Sequence, residues 1–248
     1  MRPVVIITGS SRGIGAATAR LAGARGYAVC VNYLHNAAAA GQVVSDIQAM
    51  GGQAIAIAAD MALEADVVRL FEEASRALGP ISALVNNAGM IEPQMRLEQM
   101  TSARLQRVFT TNAIGPLLCA REAVLRMSTR HGGQGGVIVN VSSAAARLGS
   151  PNEYIDYAAT KGAIDTMTIG LAKEVASEGI RVNGVRPGPI YTDIHASAGE
   201  PDRIERVRSV IPLQRGGTPE EVANAILWLM SAEASYITGS FIDVAGGR

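Results

Sequence analysis

The chain has 248 residues, 48% of them hydrophobic, which is enough to bury a sizeable core in one large α/β unit spanning 1–248. Its 22 basic and 22 acidic side chains cancel, and no basic stripe interleaves with aromatic residues, so the composition argues against a nucleic-acid partner. Cys30 and Cys119, each inside an apolar run, read as buried thiols in a reducing compartment; Met1-Arg2-Pro3 is too short for a signal peptide, and no apolar segment reaches membrane-spanning length. A cytoplasmic protein with no membrane partner is expected.

In chain order, Val- and Ile-rich runs at 4–7, 27–31, 54–58, 81–85, 137–141, 180–185 and 241–244 predict buried strands. Ala-rich stretches between them, at 14–25, 37–50, 64–78, about 103–130, 154–178 and 219–230, predict helices. Strict alternation of the two implies βαβ units, and so an α/β fold: a doubly wound, Rossmann-type parallel sheet of seven strands flanked by helices. Gly26, Gly51, Gly79, Gly132 and Gly179 fall just past helical stretches, as helix-ending glycines do. Thr218-Pro219-Glu220-Glu221 is an N-terminal signature, with Thr218 as cap and the acids facing the positive end of the dipole. Residues 189–217 form a less regular insertion before the last helix, the natural candidate for a substrate lid.

The first strand ends in Thr8-Gly9-Ser10-Ser11-Arg12-Gly13-Ile14-Gly15 and runs directly into a helix. Glycines there permit a tight turn and close approach to a pyrophosphate, while the helix N-terminus offers free N–H groups and partial positive charge. A nucleotide site is expected; a merely structural glycine turn is the alternative. The second strand ends in Val31-Asn32-Tyr33, without the carboxylate that would select a ribose 2′-hydroxyl, and Arg12 offers a guanidinium suited to a 2′-phosphate. NADP(H) is therefore favoured over NAD(H), the alternative being that Arg12 is a solvated loop residue.

Tyr157 and Lys161 stand four residues apart, on one face of a predicted helix, and the pair Ser142-Ser143 ends the fifth strand. A cation beside a phenol favours the phenolate, bringing a group that ordinarily titrates at about 10 toward working pH. His35, His131 and His195 are scattered without acidic or thiol partners at ligand spacing, so no metal site is expected; His35 would lie toward the adenosine phosphate and His195 in the lid.

With the glycine turn, Asn86-Asn87-Ala88-Gly89 after the fourth strand, Asn112, Ser143, Tyr157-x-x-x-Lys161 and Arg186-Pro187-Gly188 followed by Thr192, the chain resembles the short-chain dehydrogenase/reductase family over nearly its whole length, in its compact 3-oxoacyl-carrier-protein-reductase-like branch. The resemblance implies an oxidoreductase that moves a hydride between a nicotinamide and a carbonyl or secondary alcohol. Tyr157 would be the general acid/base, Lys161 its partner and ribose ligand, Ser143 the orienter of the substrate oxygen, with Ser142 competing, and Asn112 the support of a proton relay. It further assigns the cofactor to Gly9, Ser11, Arg12, Gly13, Ile14, Gly15, Asn32, Tyr33, Asp60, Met61, Asn87, Ala88, Gly89, Pro187, Gly188, Ile190 and Thr192, together with Tyr157 and Lys161. Asp60 has a second reading, as the cap of a turn before helix 64–78. Small residues on helix 154–178 fit the helix pairing of a homotetramer; the competing reading seats them on the chain's own sheet. A catalytically silent NADP(H) sensor and an NAD-dependent sugar or alcohol dehydrogenase are the alternative functions.

Overall fold

The computed structural model describes residues 2–248, apart from the side chains of His195 and Ser197. Seven strands, β1 (Val4–Ile7), β2 (Ala28–Tyr33), β3 (Gln53–Ala58), β4 (Ile81–Asn86), β5 (Gly136–Val141), β6 (Ile180–Pro187) and β7 (Phe241–Val244), form one sheet in the order β3-β2-β1-β4-β5-β6-β7. Every pairing is parallel. The helices are α1 (Gly13–Ala24), α2 (Ala37–Ala49), α3 (Glu64–Leu78), α4 (Ser102–Phe109), α5 (Gly115–Met127), α6 (Ala145–Leu148), α7 (Ile155–Val175), α8 (Ile194–Ser197), α9 (Arg203–Val207) and α10 (Pro219–Met230).

Strand side chains alternate between the two faces, so β1 supplies two cores at once. Val4 and Ile6 pack with Leu70 and Phe71 of α3 and with Cys119 and Ala123 of α5; Val5 and Ile7 pack with Ala19 of α1, Val43 of α2 and Ile226 of α10. Covering both faces with helices explains why the strands read as continuous apolar runs. The chain winds outward from β1 in one direction to β3, then returns to β4 on the other side of β1. At that reversal the flanking loops part, and a crevice opens at the carboxyl ends of β1 and β4.

Three differences from the sequence expectation have physical causes. The long helix expected over 103–130 is divided: α4 ends at Phe109, a single π turn occupies Thr110–Ile114, and α5 begins at Gly115 with Pro116 in its first turn. The wide turn carries Asn112, fully buried, whose amide bonds to the main chain of Met90. Helix 154–178 ends its α form at Val175 and tightens into a 3-10 turn, Ala176–Glu178, before the left-handed Gly179. Segment 189–217 contains two short helices, α8 and α9, and Ile190 bridges to Gly217 at its base, joining the two ends of the insertion. Thr218 caps α10 as expected: its hydroxyl accepts from the Glu221 N–H, and the Glu221 carboxylate accepts from the Thr218 N–H.

Candidate active site

The turn after β1 is built around a side chain from the neighbouring strand. Asn32 is 2% exposed; its carbonyl oxygen accepts from the Gly9 N–H at 3.0 Å, and its amide donates to the main chain of Ala59 at 3.1 Å. The group expected to face a ribose is thus a strut between the glycine turn and β3. Gly9 adopts φ +61°, and a Cβ there would stand 2.9 Å from the Ala88 Cα. Only glycine fits a left-handed turn pressed this closely on the end of β4. Thr8 completes the junction, its hydroxyl accepting from the N–H groups of Asn87 and Ala88, each at 3.0 Å.

From this turn a cleft of about 990 Å³ runs along the carboxyl edge of the sheet to α7. All the residues expected from sequence to hold the cofactor or do chemistry line it, except Gly15 and Asn112. Gly15 is buried at the start of α1. Asn112 stands behind the wall: its carbonyl oxygen accepts from the Met90 N–H at 2.8 Å, and its amide donates to the Met90 carbonyl at 2.9 Å. A Cβ on Gly89 would lie 3.4 Å from the Asn112 Oδ1 and 3.7 Å from the Lys161 Nζ, so the polar ends of both side chains converge on the backbone at Gly89. Asp60 does both things considered for it: it lines the cleft, and its carboxylate accepts from the Ala62 N–H at 2.8 Å to close the turn before α3.

At the far end of the cleft, Tyr157 and Lys161 project from the same face of α7. The Lys161 ammonium lies 5.5 Å from the centre of the Tyr157 ring and donates to the Val141 carbonyl at 2.8 Å. The serine pair divides. Ser142 is buried and its hydroxyl donates to the Lys161 carbonyl, whereas Ser143 hydrogen-bonds toward Tyr157 and also receives the Ala145 N–H. Burial moves both titratable groups toward their neutral forms. The Lys161 ammonium is pushed down to about 8, with Asp165 opposing. The Tyr157 phenol is pushed up rather than down, because the cost of burying a phenolate outweighs the help from Ser143 and from the Arg203 charge. The sequence expectation of a lowered phenol is reversed here: spacing reveals the cation, and only the structure reveals the desolvation.

Several residues of the site were not singled out from sequence. Asp156, adjacent to Tyr157, is buried against Arg104 of α4. Tyr154 and Glu153 also line the cleft, and Arg203 of α9, which the sequence offers only as a polar residue of the 189–212 insertion, pairs with Glu153. An acid beside the Tyr157 position and an Arg in an otherwise amphipathic helix were the available signals. His35 lines the cleft, while the side chain of His195, expected in the lid, lies outside what is described. Among the described residues, no three His, Cys, Asp or Glu side chains are grouped to hold a metal ion, and no helix is long and apolar enough to cross a membrane.

Residues 9–248 match the family model described as enoyl-(acyl carrier protein) reductase. The chain is 57% identical over 245 residues, 99% of each chain, to an uncharacterized oxidoreductase, YgfF, of Escherichia coli K12. It is 39% identical over 98% of its length to a 3-oxoacyl-[acyl-carrier-protein] reductase of Synechocystis, covering 96% of that protein. A crystal structure of a dehydrogenase/reductase from Sinorhizobium meliloti 1021 superposes with a TM-score of 0.91 at 34% identity, covering 99% of this chain and 94% of that one. The chain belongs to the short-chain dehydrogenase/reductase family and is an oxidoreductase acting on CH–OH groups.

Proposed function

We propose that the protein is an NADP(H)-dependent oxidoreductase that interconverts a carbonyl and a secondary alcohol, with Tyr157 as the general acid/base. The observation that carries this reading is the convergence of Tyr157, Ser143 and Lys161 at one end of a cleft whose other end is the glycine turn. A bound nicotinamide supplies the hydride for reduction or accepts it in oxidation. In reduction, Tyr157 donates its proton to the substrate oxygen as negative charge develops there, and the Ser143 hydroxyl donates a second hydrogen bond to the same oxygen. Tyr157 is protonated at neutral pH, which suits that direction. Lys161 would hold the nicotinamide ribose and keep positive charge beside the phenolate that forms. Asn112 anchors Met90 behind this group and supports the relay that returns a proton to Tyr157.

The fit of the dinucleotide rests on the turn. Gly9 allows backbone to approach a pyrophosphate, and the position of Arg12, exposed at the N-cap of α1 and lining the cleft, supports its pairing with a 2′-phosphate. With the Asn32 side chain turned inward, no carboxylate ends β2 to compete for a 2′-hydroxyl. Segment 189–217 would serve as the lid. On the outer side of α7, Gly162 and Gly170 face open space beside exposed Ile155 and Ile169, which supports the pairing of a homotetramer. We place the enzyme in the cytoplasm.

A panel of ketones, aldehydes and alcohols followed by NADPH absorbance tests the reading. Turnover with NADPH at least about tenfold more efficient than with NADH is expected, with Arg12→Ala erasing the preference. A clear preference for NADH would overturn the cofactor assignment. Sedimentation velocity at micromolar concentration is expected to show a tetramer; a monomer alone would refute the assembly.

A further inference from the structure

The lining of the cleft holds two hydrogen-bond donors that the reaction described above does not use. Among the described residues lining the cleft, only two carry buried side-chain atoms without a hydrogen-bond partner: the Tyr154 hydroxyl and the Arg203 Nη1. Tyr154 is 2% exposed and stands at the N-cap of α7, three residues before Tyr157. Arg203 opens α9, in the lid segment, and its guanidinium lies 4.7 Å from the centre of the Tyr154 ring. Its other terminal nitrogen donates to Glu153 at 2.6 Å. Glu153 is shared, because Arg206, one turn further along α9, binds its second oxygen at 3.0 Å. One buried unpaired donor costs free energy; two on cleft-lining residues whose ring and guanidinium lie together call for an occupant.

The backbone that presents these groups is itself unusual. Ser150 and Asn152 adopt φ of 45° and 63°, the left-handed region, in the turn that leads to Glu153 and Tyr154. Strained turns of this kind persist where the surrounding structure holds a binding residue in place. Here the hold comes from the Met95 N–H, which donates to the Glu153 carbonyl at 3.1 Å.

We propose that Tyr154 and Arg203 bind a carboxylate carried by the substrate, so that the protein acts on oxo acids and the corresponding hydroxy acids. This rests on the carbonyl/alcohol reading of the same site. The chemistry of the wall selects the group. The Arg203 Nη1 can only donate and the Tyr154 hydroxyl can donate, and no other unpaired side-chain atom lines the cleft among the described residues, so a group whose oxygens accept from both is the complement. A carboxylate offers two oxygens to two donors and one charge to a guanidinium. A phosphate would bring more charge next to Glu153, with no further unpaired donor to meet it. Both donor atoms are shielded from solvent, so admitting the acceptor requires α9 to shift. Once there, a carboxylate joins a lid residue to a residue of the catalytic helix and closes the lid over the reacting oxygen.

The test uses the full-length enzyme with 2-, 3- and 4-oxo acids and their methyl esters. Turnover is followed with NADPH, and binding to the enzyme–NADP complex is followed by saturation-transfer NMR. The matched pair with the best fit is expected to favour the acid by at least about tenfold in kcat/KM, mostly through KM. Tyr154→Phe and Arg203→Met should each bring the acid-to-ester ratio toward one. Tyr154→Phe should do so without lowering the melting temperature, since it removes a hydroxyl that bonds to nothing. A purely structural role would scale acid and ester alike and leave the ratio untouched. If acids and esters are turned over equally, the carboxylate site is refuted while the oxidoreductase reading stands. If the acids bind in preference to their esters, and lose that preference in both variants without being reduced, the site stands and the reaction assignment fails. Failure of every acid to bind overturns the proposal.

Discussion

The buried Asp156 carboxylate receives the Arg104 guanidinium at 2.8 Å through Nε and at 3.4 Å through Nη2, with the pair almost fully shielded from water. The same carboxylate accepts the Tyr157 N–H at 2.9 Å, and Arg104 also donates to the Pro93 carbonyl at 2.6 Å. One ion pair thus ties α4, the loop after β4 and the first turn of α7 together beneath Tyr157. Removing one partner leaves a buried charge uncompensated, which costs far more than the pair contributes in net stability. Asp156→Ala is expected to lower unfolding free energy by about 3–5 kcal/mol in urea titration, whereas Arg104→Met combined with Asp156→Leu should recover much of the loss. A loss below about 1 kcal/mol for the single variant would contradict this role.

Lys161 makes stability depend on alkaline pH in a defined direction. Its ordinary value of 10.5 is lowered to about 8 in the folded chain, chiefly by burial. Between those values the unfolded chain binds more protons than the folded one, so this group's destabilising contribution is full below pH about 8 and fades as pH rises to 10.5. Urea titrations of the wild type and Lys161→Met across that range isolate the effect. Wild-type stability should rise relative to the variant; a difference independent of pH would contradict the assignment.

Gly9→Ala places a Cβ against the Ala88 backbone in a left-handed conformation that alanine adopts only with strain. Because the turn and the end of β4 are pressed together, the variant should lose NADPH affinity by at least about tenfold and should also melt at a lower temperature. Fluorescence titration with NADPH and thermal melts check both; an unchanged dissociation constant would mean that this turn does not carry the pyrophosphate.

Much of this architecture is legible in the sequence, because buried parallel strands announce themselves as Val/Ile runs and glycine-marked helix ends separate them. The glycine turn and the Tyr157/Lys161 spacing are local patterns, so they can be read directly. What escapes is nonlocal or depends on burial. Gly115-Pro116 marks a break within residues 103–130, but nothing local says that it takes the form of a π turn holding Asn112 against the main chain of Met90. The Arg104–Asp156 pair joins residues 52 positions apart. Helices of four or five residues, such as α8 and α9, are too short to show a period. The inward turn of Asn32 and the upward shift of Tyr157 follow from what surrounds each side chain in three dimensions.

The central claim is that Tyr157 transfers the proton. The most direct measurement compares wild type and Tyr157→Phe in single-turnover reduction of the best ketone found in the panel, alongside NADPH binding by fluorescence. The variant keeps the ring, its packing and its distance from Lys161, and lacks only the hydroxyl. It is expected to bind NADPH within about twofold of wild type while reduction falls by at least about a hundredfold. Reduction at an undiminished rate would contradict the mechanism.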